Sequence, residues 1–370
     1  MMIMNIGKLK NSVLIKIVVC MCMVSSCVST SNDSFVGQKQ IEKCNIYEGK
    51  WVYDESYPLF DSSKCSAIRG EFNCLKRPDR QFLNYRWQPN ACNLPKFDAG
   101  DFLRRMKGKK IVFVGDSVSQ NHGQSLICLL NQAGAPSQII HTVNNSTIIN
   151  YVKFEAHDVS ITIFLSHYLV DIVNEKIGRV LKLDSIKDGE TWKQADVLIF
   201  NTWLWWYRSG PKQPWDYIES EGKIVKDMDR MEAFRRGLTT WKNWADANLS
   251  PSKTKVFFQG ISPSHYKGED WNEKGVSDCS RETTPVEGST YPAGEPLALK
   301  VVKSVLERKT SSPPMPVGLL DITTLSQLRK DGHPSKYNLL GGMDCTHWCL
   351  AGVPDTWNLL LYTELLRSPH

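Results

Sequence analysis

A serine, a histidine and an aspartate stand in this sequence at places that suit nucleophilic acyl chemistry. The β-branched run Ile111-Val112-Phe113-Val114 stops at Gly115-Asp116-Ser117, and a helix-compatible segment follows. Such a junction sets one hydroxyl at the carboxyl end of a buried strand, where open α/β sheets collect their ligands. A serine hydroxyl is a weak nucleophile at neutral pH and needs a base within hydrogen-bond reach. Asp344-Cys345-Thr346-His347 supplies one near the other end of the chain. On one helical turn residues at i and i+3 face the same way, so the carboxylate can orient the imidazole while its other nitrogen takes the serine proton. Taken alone, Ser117 reads equally well as a helix cap, a position Ser and Asp both favour. Asp331-Gly332-His333 is a rival acid–base pair, but its spacing and the following Pro334 have the composition of a turn. His122, His141, His157, His167 and His265 read as structural, with His157-Asp158 as a hairpin turn.

Acyl transfer also needs donors for the developing oxyanion. The candidates are the Ser117 backbone N–H, the Asn121 side chain four residues on, and Asn201. Asn201 directly follows the strand-like Val197–Phe200, which puts it at the same sheet edge as Ser117. Both asparagines also suit turn or helix capping. Asn201 opens an aromatic segment whose Trp203, Trp205, Trp206, Tyr207 and Arg208 are candidate substrate contacts. Aromatic faces stack on the apolar faces of sugars, so a glycan cleft is the functional reading and core packing its competitor.

The elements that must hold these residues follow from periodicity. Short apolar runs at Ile111–Val114, Val197–Phe200, Val256–Phe258 and Val317–Leu320 have the character of buried parallel strands. Helical segments are expected at Ser119–Leu130, Asp229–Ala247, Glu295–Leu306 and Asp355–Leu366, the last opened by Pro354. Tyr151–Leu169 reads as an antiparallel edge hairpin turning at Ala156-His157-Asp158. The alternation predicts an α/β fold, a three-layer α/β/α sandwich with a mostly parallel sheet. Ahead of it, residues 44–97 carry four cysteines and little helical periodicity. They read as a loop-rich, disulfide-braced lobe too poor in apolar pattern to form a core alone.

The 370 residues are 41% hydrophobic and 23% charged, ordinary for a globular protein. Three lysines among the first 28 residues account for half of the formal +6 charge, and no continuous basic tract appears. Nucleic acid is therefore not an expected partner. Residues 1–30 run from basic to apolar to small, as in a secretory signal peptide or a short signal-anchor, and 31–43 form a connector. Setting aside Cys20, Cys22 and Cys27 in that segment leaves Cys44, Cys65, Cys74, Cys92, Cys128, Cys279, Cys345 and Cys349. An even number in a secretory chain implies disulfides, and eight cysteines allow 105 connectivities. Without a CxxC pair or paired histidines a zinc site is disfavoured, and no metal is expected. No phosphate-cradling glycine loop is present, so no tightly bound nucleotide cofactor is indicated. Glycosylation sequons occur at Asn32, Asn144, Asn145 and Asn248.

Together these residues resemble the SGNH/GDSL hydrolase superfamily. More narrowly, the chain resembles the plant trichome-birefringence-like family of polysaccharide O-acetyltransferases. The resemblance runs from Cys44 to Leu366 and includes Cys44-Asn45-Ile46-Tyr47-Glu48-Gly49-Lys50-Trp51-Val52, Tyr85-Arg86-Trp87, Val114-Gly115-Asp116-Ser117 and Asn201-Thr202-Trp203. Its longest string is Asp344-Cys345-Thr346-His347-Trp348-Cys349-Leu350-Ala351-Gly352-Val353-Pro354-Asp355-Thr356-Trp357-Asn358. It implies a catalytic domain over 98–370, an acetyl-enzyme on Ser117 with Asp344 and His347 as partners, and an acetyl donor of undetermined identity. It further implies a cell-wall acceptor (xylan, mannan, xyloglucan or pectin) and a Golgi lumen location, with secretion to the wall as the alternative. The family's disulfide bracing implies the pairs Cys44–Cys92, Cys65–Cys128, Cys74–Cys349 and Cys279–Cys345. Many members carry Arg-Asn-Gln after the nucleophile, where Gln120-Asn121-His122 stands here. An acetylesterase using the same three residues, and a non-catalytic glycan-binding protein on the same fold, are the alternative functions.

Overall fold

A computed structural model describes residues 43–144, 147–308 and 313–367. The expected targeting segment, the connector to Glu42, Asn32, Asn145 and part of the Ser311-Ser312-Pro313-Pro314 loop lie outside the described residues. Among the described residues, no helix is long and apolar enough to cross a membrane.

The strands are β1 (Gly49–Tyr53), β2 (Tyr85–Pro89), β3 (Lys110–Gly115), β4 (Gln138–Asn144), β5 (Thr147–Phe154), β6 (Val159–Leu165), β7 (Asp171–Glu175), β8 (Gly178–Lys182), β9 (Val197–Phe200), β10 (Tyr217–Ser220), β11 (Lys223–Val225), β12 (Lys255–Gln259) and β13 (Val317–Leu320). The helices are α1 (Ala99–Arg105), α2 (Ser117–Leu130), α3 (Gly189–Trp192), α4 (Arg230–Asn248), α5 (Leu297–Leu306), α6 (Thr323–Gln327) and α7 (Val353–Arg367). Seven strands form the main sheet in the order β13-β12-β9-β3-β6-β5-β4. Pairing is parallel from β13 through β6 and antiparallel across β6, β5 and β4.

The alternation of side chains along a strand makes the layers. On β3, Ile111 and Phe113 join a cluster with Val118, Leu126 and Leu130 of α2 and Trp357 and Leu361 of α7. Val112 and Val114 face the other way, toward Phe234, Leu238 and Trp241 of α4 and Leu299 and Val302 of α5. Helices therefore cover both faces, giving the expected sandwich. The expected β5–β6 hairpin turns at Glu155–His157, with Asp158 in the left-handed region at φ 53°. Its outer neighbour β4 was not expected. A second, four-stranded sheet in the order β11-β10-β8-β7 was also unforeseen.

The N-terminal lobe is a β1–β2 ribbon joined by three short 3-10 turns. Phe60, Phe72, Phe82 and Leu83 build a small core with Cys128, Leu129, Cys349 and Leu350. The lobe thus has no core of its own and packs on the end of α2 and the C-terminal loop. All eight cysteines outside the targeting segment pair as the resemblance implied: Cys44–Cys92, Cys65–Cys128, Cys74–Cys349 and Cys279–Cys345.

In the first turn of α7, Asp355 accepts hydrogen bonds from Ser125 Oγ (2.6 Å) and the Gly352 N–H (2.8 Å). Complete burial outweighs both bonds and pushes its carboxyl up to about 7. The folded protein therefore holds a proton here between about pH 4 and 7 that the unfolded chain releases, so this group's contribution to stability falls as pH rises through that window. Asp344 titrates in the opposite sense but lower, between its ordinary range and about 2. Asp355→Asn is expected to remove the falling component, so that the unfolding free energy of the variant relative to the parent rises between about pH 4 and 7, read by urea denaturation of both proteins. Equal slopes in the two proteins would contradict this.

Candidate active site

The strand β3 delivers Gly115 to the carboxyl edge of the sheet, and α2 begins at Ser117. Asp116, not Ser117, is the helix cap: its Oδ1 accepts the Val118 N–H at 2.9 Å. That frees the Ser117 hydroxyl, which lies 2.7 Å from His347 Nε2. His347 Nδ1 is 2.7 Å from Asp344 Oδ2, while Asp344 Oδ1 accepts the backbone N–H groups of Thr346 and His347, both at 3.0 Å. Because Asp344 is ionised it can only accept, so His347 carries its proton on Nδ1 and presents a lone pair at Nε2 to the serine. Burial alone would raise the Asp344 carboxyl, but the His347 bond and charge and the two backbone donors hold it down to about 2. The segment is an Asp-headed loop rather than the helical turn expected from the i, i+3 spacing.

That loop is fastened on all sides. Cys345 and Cys349 anchor its two ends through disulfides to Cys279 and Cys74. Between them, Trp348 exchanges two hydrogen bonds with the Asn121 side chain, both 3.0 Å, and its indole N–H donates to Ser262. Asn121 is therefore not an oxyanion donor. Both its amide atoms are spent tying the nucleophile helix to the base loop. His333 of the rival pair donates from Nδ1 to the His347 carbonyl at 2.7 Å, whereas Asp331 is buried against Arg329. The N-terminal lobe contributes Phe72, whose ring centre lies 5.4 Å from that of His347, and Arg77, which donates to the carbonyls of Asp331 and His333. Neither Phe72 nor Arg77 carried a signal in the sequence, because both act by packing and backbone contact across the fold.

Two oxyanion candidates keep their donors. Ser117 is the first residue of α2, so its N–H has no acceptor within the helix. Asn201 Oδ1 accepts from the Asp116 N–H (3.2 Å) and Ser119 Oγ (2.8 Å), which fixes the amide and leaves Nδ2 without a partner among the described residues. Glycine is required at 115 for this approach, since a Cβ there would meet Asn201 Oδ1 at 2.3 Å.

A cavity of about 550 Å³ opens over Ser117 and His347, lined also by Trp205, Tyr207, Arg208, Lys212 and Tyr266. The aromatic run divides its labour. Trp206 is fully buried, donates to Thr202 and packs on Phe234, so it is a core residue and not a substrate contact. Trp203 is half-buried between Tyr207 and Phe234 and lines a second cavity of about 230 Å³ that shares Leu204 and Tyr207 with the first. Trp205 is sandwiched between His167 and the Arg208 guanidinium, 3.4 Å from the ring centre. Tyr207 is 48% exposed. Chemically, the arrangement offers an activated hydroxyl, a base, oxyanion donors and an aromatic-walled cleft.

Comparison with known proteins agrees with that chemistry. Residues 94–364 match the GDSL/SGNH-like acyl-esterase family found in Pmr5 and Cas1p, and residues 42–93 match the PMR5 N-terminal domain. The chain is 50% identical over 331 residues to protein trichome birefringence-like 38 of Arabidopsis thaliana, covering 89% of this chain and 85% of that one. It is 47% identical to trichome birefringence-like 39 of the same plant, over 94% of this chain and 95% of the relative. Identity to protein trichome birefringence itself is 36%, over 89% of this chain and 57% of that longer protein. On sequence, architecture and both family matches, the chain belongs to the trichome birefringence-like family of SGNH-like acyl-esterase proteins.

Proposed function

We propose that the protein is an O-acetyltransferase that acetylates hydroxyls of a cell-wall polysaccharide through an acetyl-serine intermediate. The observation that carries this is the Ser117–His347–Asp344 line, with 2.7 Å at each link, at the base of an aromatic-walled cavity. In the first half-reaction His347 Nε2 takes the Ser117 proton as Oγ bonds to the acetyl carbonyl carbon of a donor. The tetrahedral oxyanion is held by the Ser117 N–H and Asn201 Nδ2. It collapses with departure of the donor's leaving group, which receives the proton from His347. In the second half-reaction His347 takes the proton of a sugar hydroxyl, whose oxygen attacks the acyl-serine. Collapse releases the acetylated sugar and returns the proton to Ser117.

Trp203, Tyr207 and the Trp205–Arg208 stack are the proposed sugar contacts. Arg208 and Lys212 have no carboxylate partner among the described residues, and none of the cavity's lining residues is acidic. That charge leaves room for a uronate-bearing acceptor. The proposed setting is the lumen of the secretory pathway, in the Golgi or on the way to the wall, because four disulfides suit an oxidising compartment.

A second reading, acetylesterase, uses the same residues with water in place of the sugar. Solvent access past the exposed Tyr207 and Lys212 favours it. Incubation with an acetyl donor and deacetylated xylan, mannan, xyloglucan or pectin oligosaccharides distinguishes the two. The expected result is an acceptor 42 mass units heavier per transfer by mass spectrometry. Acetate release from acetylated glycan with no transfer would overturn the transferase. A Ser117→Ala protein with undiminished effect would instead point to a glycan-binding module.

A further inference from the structure

Behind the base loop lie two histidines that the proposed chemistry does not use. His265 is completely buried and His333 is 1% exposed, and their nearest ring nitrogens, His265 Nδ1 and His333 Nε2, are 2.6 Å apart. The far nitrogen of each faces a carbonyl oxygen: His265 Nε2 lies 2.9 Å from Gln327 O and His333 Nδ1 lies 2.7 Å from His347 O. A carbonyl oxygen only accepts, so each outer nitrogen must carry a proton. Two neutral imidazoles so arranged would point lone pair at lone pair across 2.6 Å in a site without water access. Such a contact forfeits a hydrogen bond and adds repulsion where neither can be relieved by solvent. One additional proton between the facing nitrogens satisfies all four positions at once.

We propose that His265 and His333 share one proton in a buried N–H···N bridge. Through the His333 bond to the His347 carbonyl, the bridged pair acts as a positioning device for the general base. The second statement rests on His347 being that base, whereas the first does not. The line runs without a break from the end of α6 to the loop that presents His347: Gln327 C=O, His265, the shared proton, His333, His347 C=O.

Burial lowers both imidazoles, His265 to about 4, so desolvation opposes even the single shared charge, and it is the facing lone pairs at 2.6 Å that call for it. A charge on His265 further lowers His333, so the pair does not take up a second proton. Asp344 favours a proton on His333, and Arg77 and Lys330 oppose it, the latter through His265. Lys330 is itself neutralised by Glu273 and Glu282, and Arg329 is paired with Asp331. The remaining neighbours are rings: Trp348 stacks on His333 at 4.2 Å, and Trp271 and Tyr291 stand edge-on to His265. Burial raises the Tyr291 phenol, so it stays neutral. A charge-assisted bridge is stronger than a neutral one, and losing its proton would leave His333 free to turn and release the His347 carbonyl.

The test is a proton count on the full chain. With 15N-labelled histidine, imidazole 1H–15N correlation spectra between pH 6 and 7.5 report which ring nitrogens are protonated. His265→Gln and His333→Gln spectra assign the peaks. Three protons over the four ring nitrogens of the pair are expected, one of them far downfield and slow to exchange. Two protons overturn the bridge, whatever the protein catalyses. The positioning role is read from kcat against pH with a chromogenic acetate ester. The parent is expected to lose kcat on the alkaline side as the bridge deprotonates. His265→Gln has an amide that bonds His333 without titrating, so it is expected to lack that limb. Superimposable profiles overturn the positioning role and leave the proton count to stand or fall by itself.

Discussion

Ser117→Ala is expected to lower kcat for acetyl transfer by roughly 10⁴- to 10⁶-fold, and adding His347→Ala to it to lower the rate little further. The two groups act through one shared proton at 2.7 Å, so either loss disables the same step. Asp344→Asn is expected to cost about 10⁴-fold. An amide facing His347 Nδ1 as a donor would favour the wrong tautomer and withdraw the lone pair from Ser117. It would also weaken the turn in which Asp344 accepts two backbone N–H groups. Single-turnover kinetics on folded variants, checked by near-ultraviolet circular dichroism, measure these and His347→Ala alone. A double variant slower than the parent by the product of the two single effects would show that Ser117 and His347 work independently, and the relay would be wrong.

The second large effect concerns the tie between lobe and loop. Cys74–Cys349 closes a segment of 275 residues and fixes the end of the loop two residues beyond His347. Restricting so long a loop in the unfolded chain is worth about 3–5 kcal/mol. Cys74→Ala with Cys349→Ala, which avoids burying new hydroxyls, is expected to lose that much stability in guanidinium denaturation. Activity should fall further than stability requires, because displacing a general base by about 1 Å costs on the order of 100-fold. The loss should fall on kcat rather than on KM, since the residues lining the cleft wall at 203–208 lie on a different loop. Stability within about 1 kcal/mol of the parent would overturn the expectation.

How much of this could be read in the chain depends on whether a residue's partner is local. The strands at 111–114, 197–200, 256–258 and 317–320, the first three largely buried and the edge strand 317–320 fully buried only at Leu320, were legible because each is a short apolar run. β7 and β8 were not, since Asp171-Ile172-Val173-Asn174-Glu175 is half-exposed and its hydrophobic signal is split by charges. β10 pairs with β8 in parallel from 37 residues away, with only four residues to announce it. At the site, Ser117, Asp344 and His347 could be picked out because their chemistry is in their types, and the structure brings them within hydrogen-bond reach. Asn121 stays ambiguous in the sequence because an asparagine amide serves an oxyanion or a backbone equally well, and it is the position of Trp348 that engages it. Trp206 differs from its neighbours Trp205 and Tyr207 in facing, and the close approach of Gly237 to its ring is a fact of three dimensions. His265 and His333 stand 68 residues apart, and nothing in either flank shows that they meet.

The separation of 230 residues between Ser117 and His347 has a consequence for biosynthesis. During translation Ser117 and its helix emerge well over two hundred residues ahead of Asp344, His347 and Cys349, the cysteine that closes onto Cys74. Until the segment 344–347 has left the ribosome, Ser117 has no base beside it. The same closing loop that assembles the relay also joins the first lobe to the last helix. Assembly of the relay and closure of the lobe onto the loop therefore arrive together, and a chain cut short of His347 carries a serine without its base.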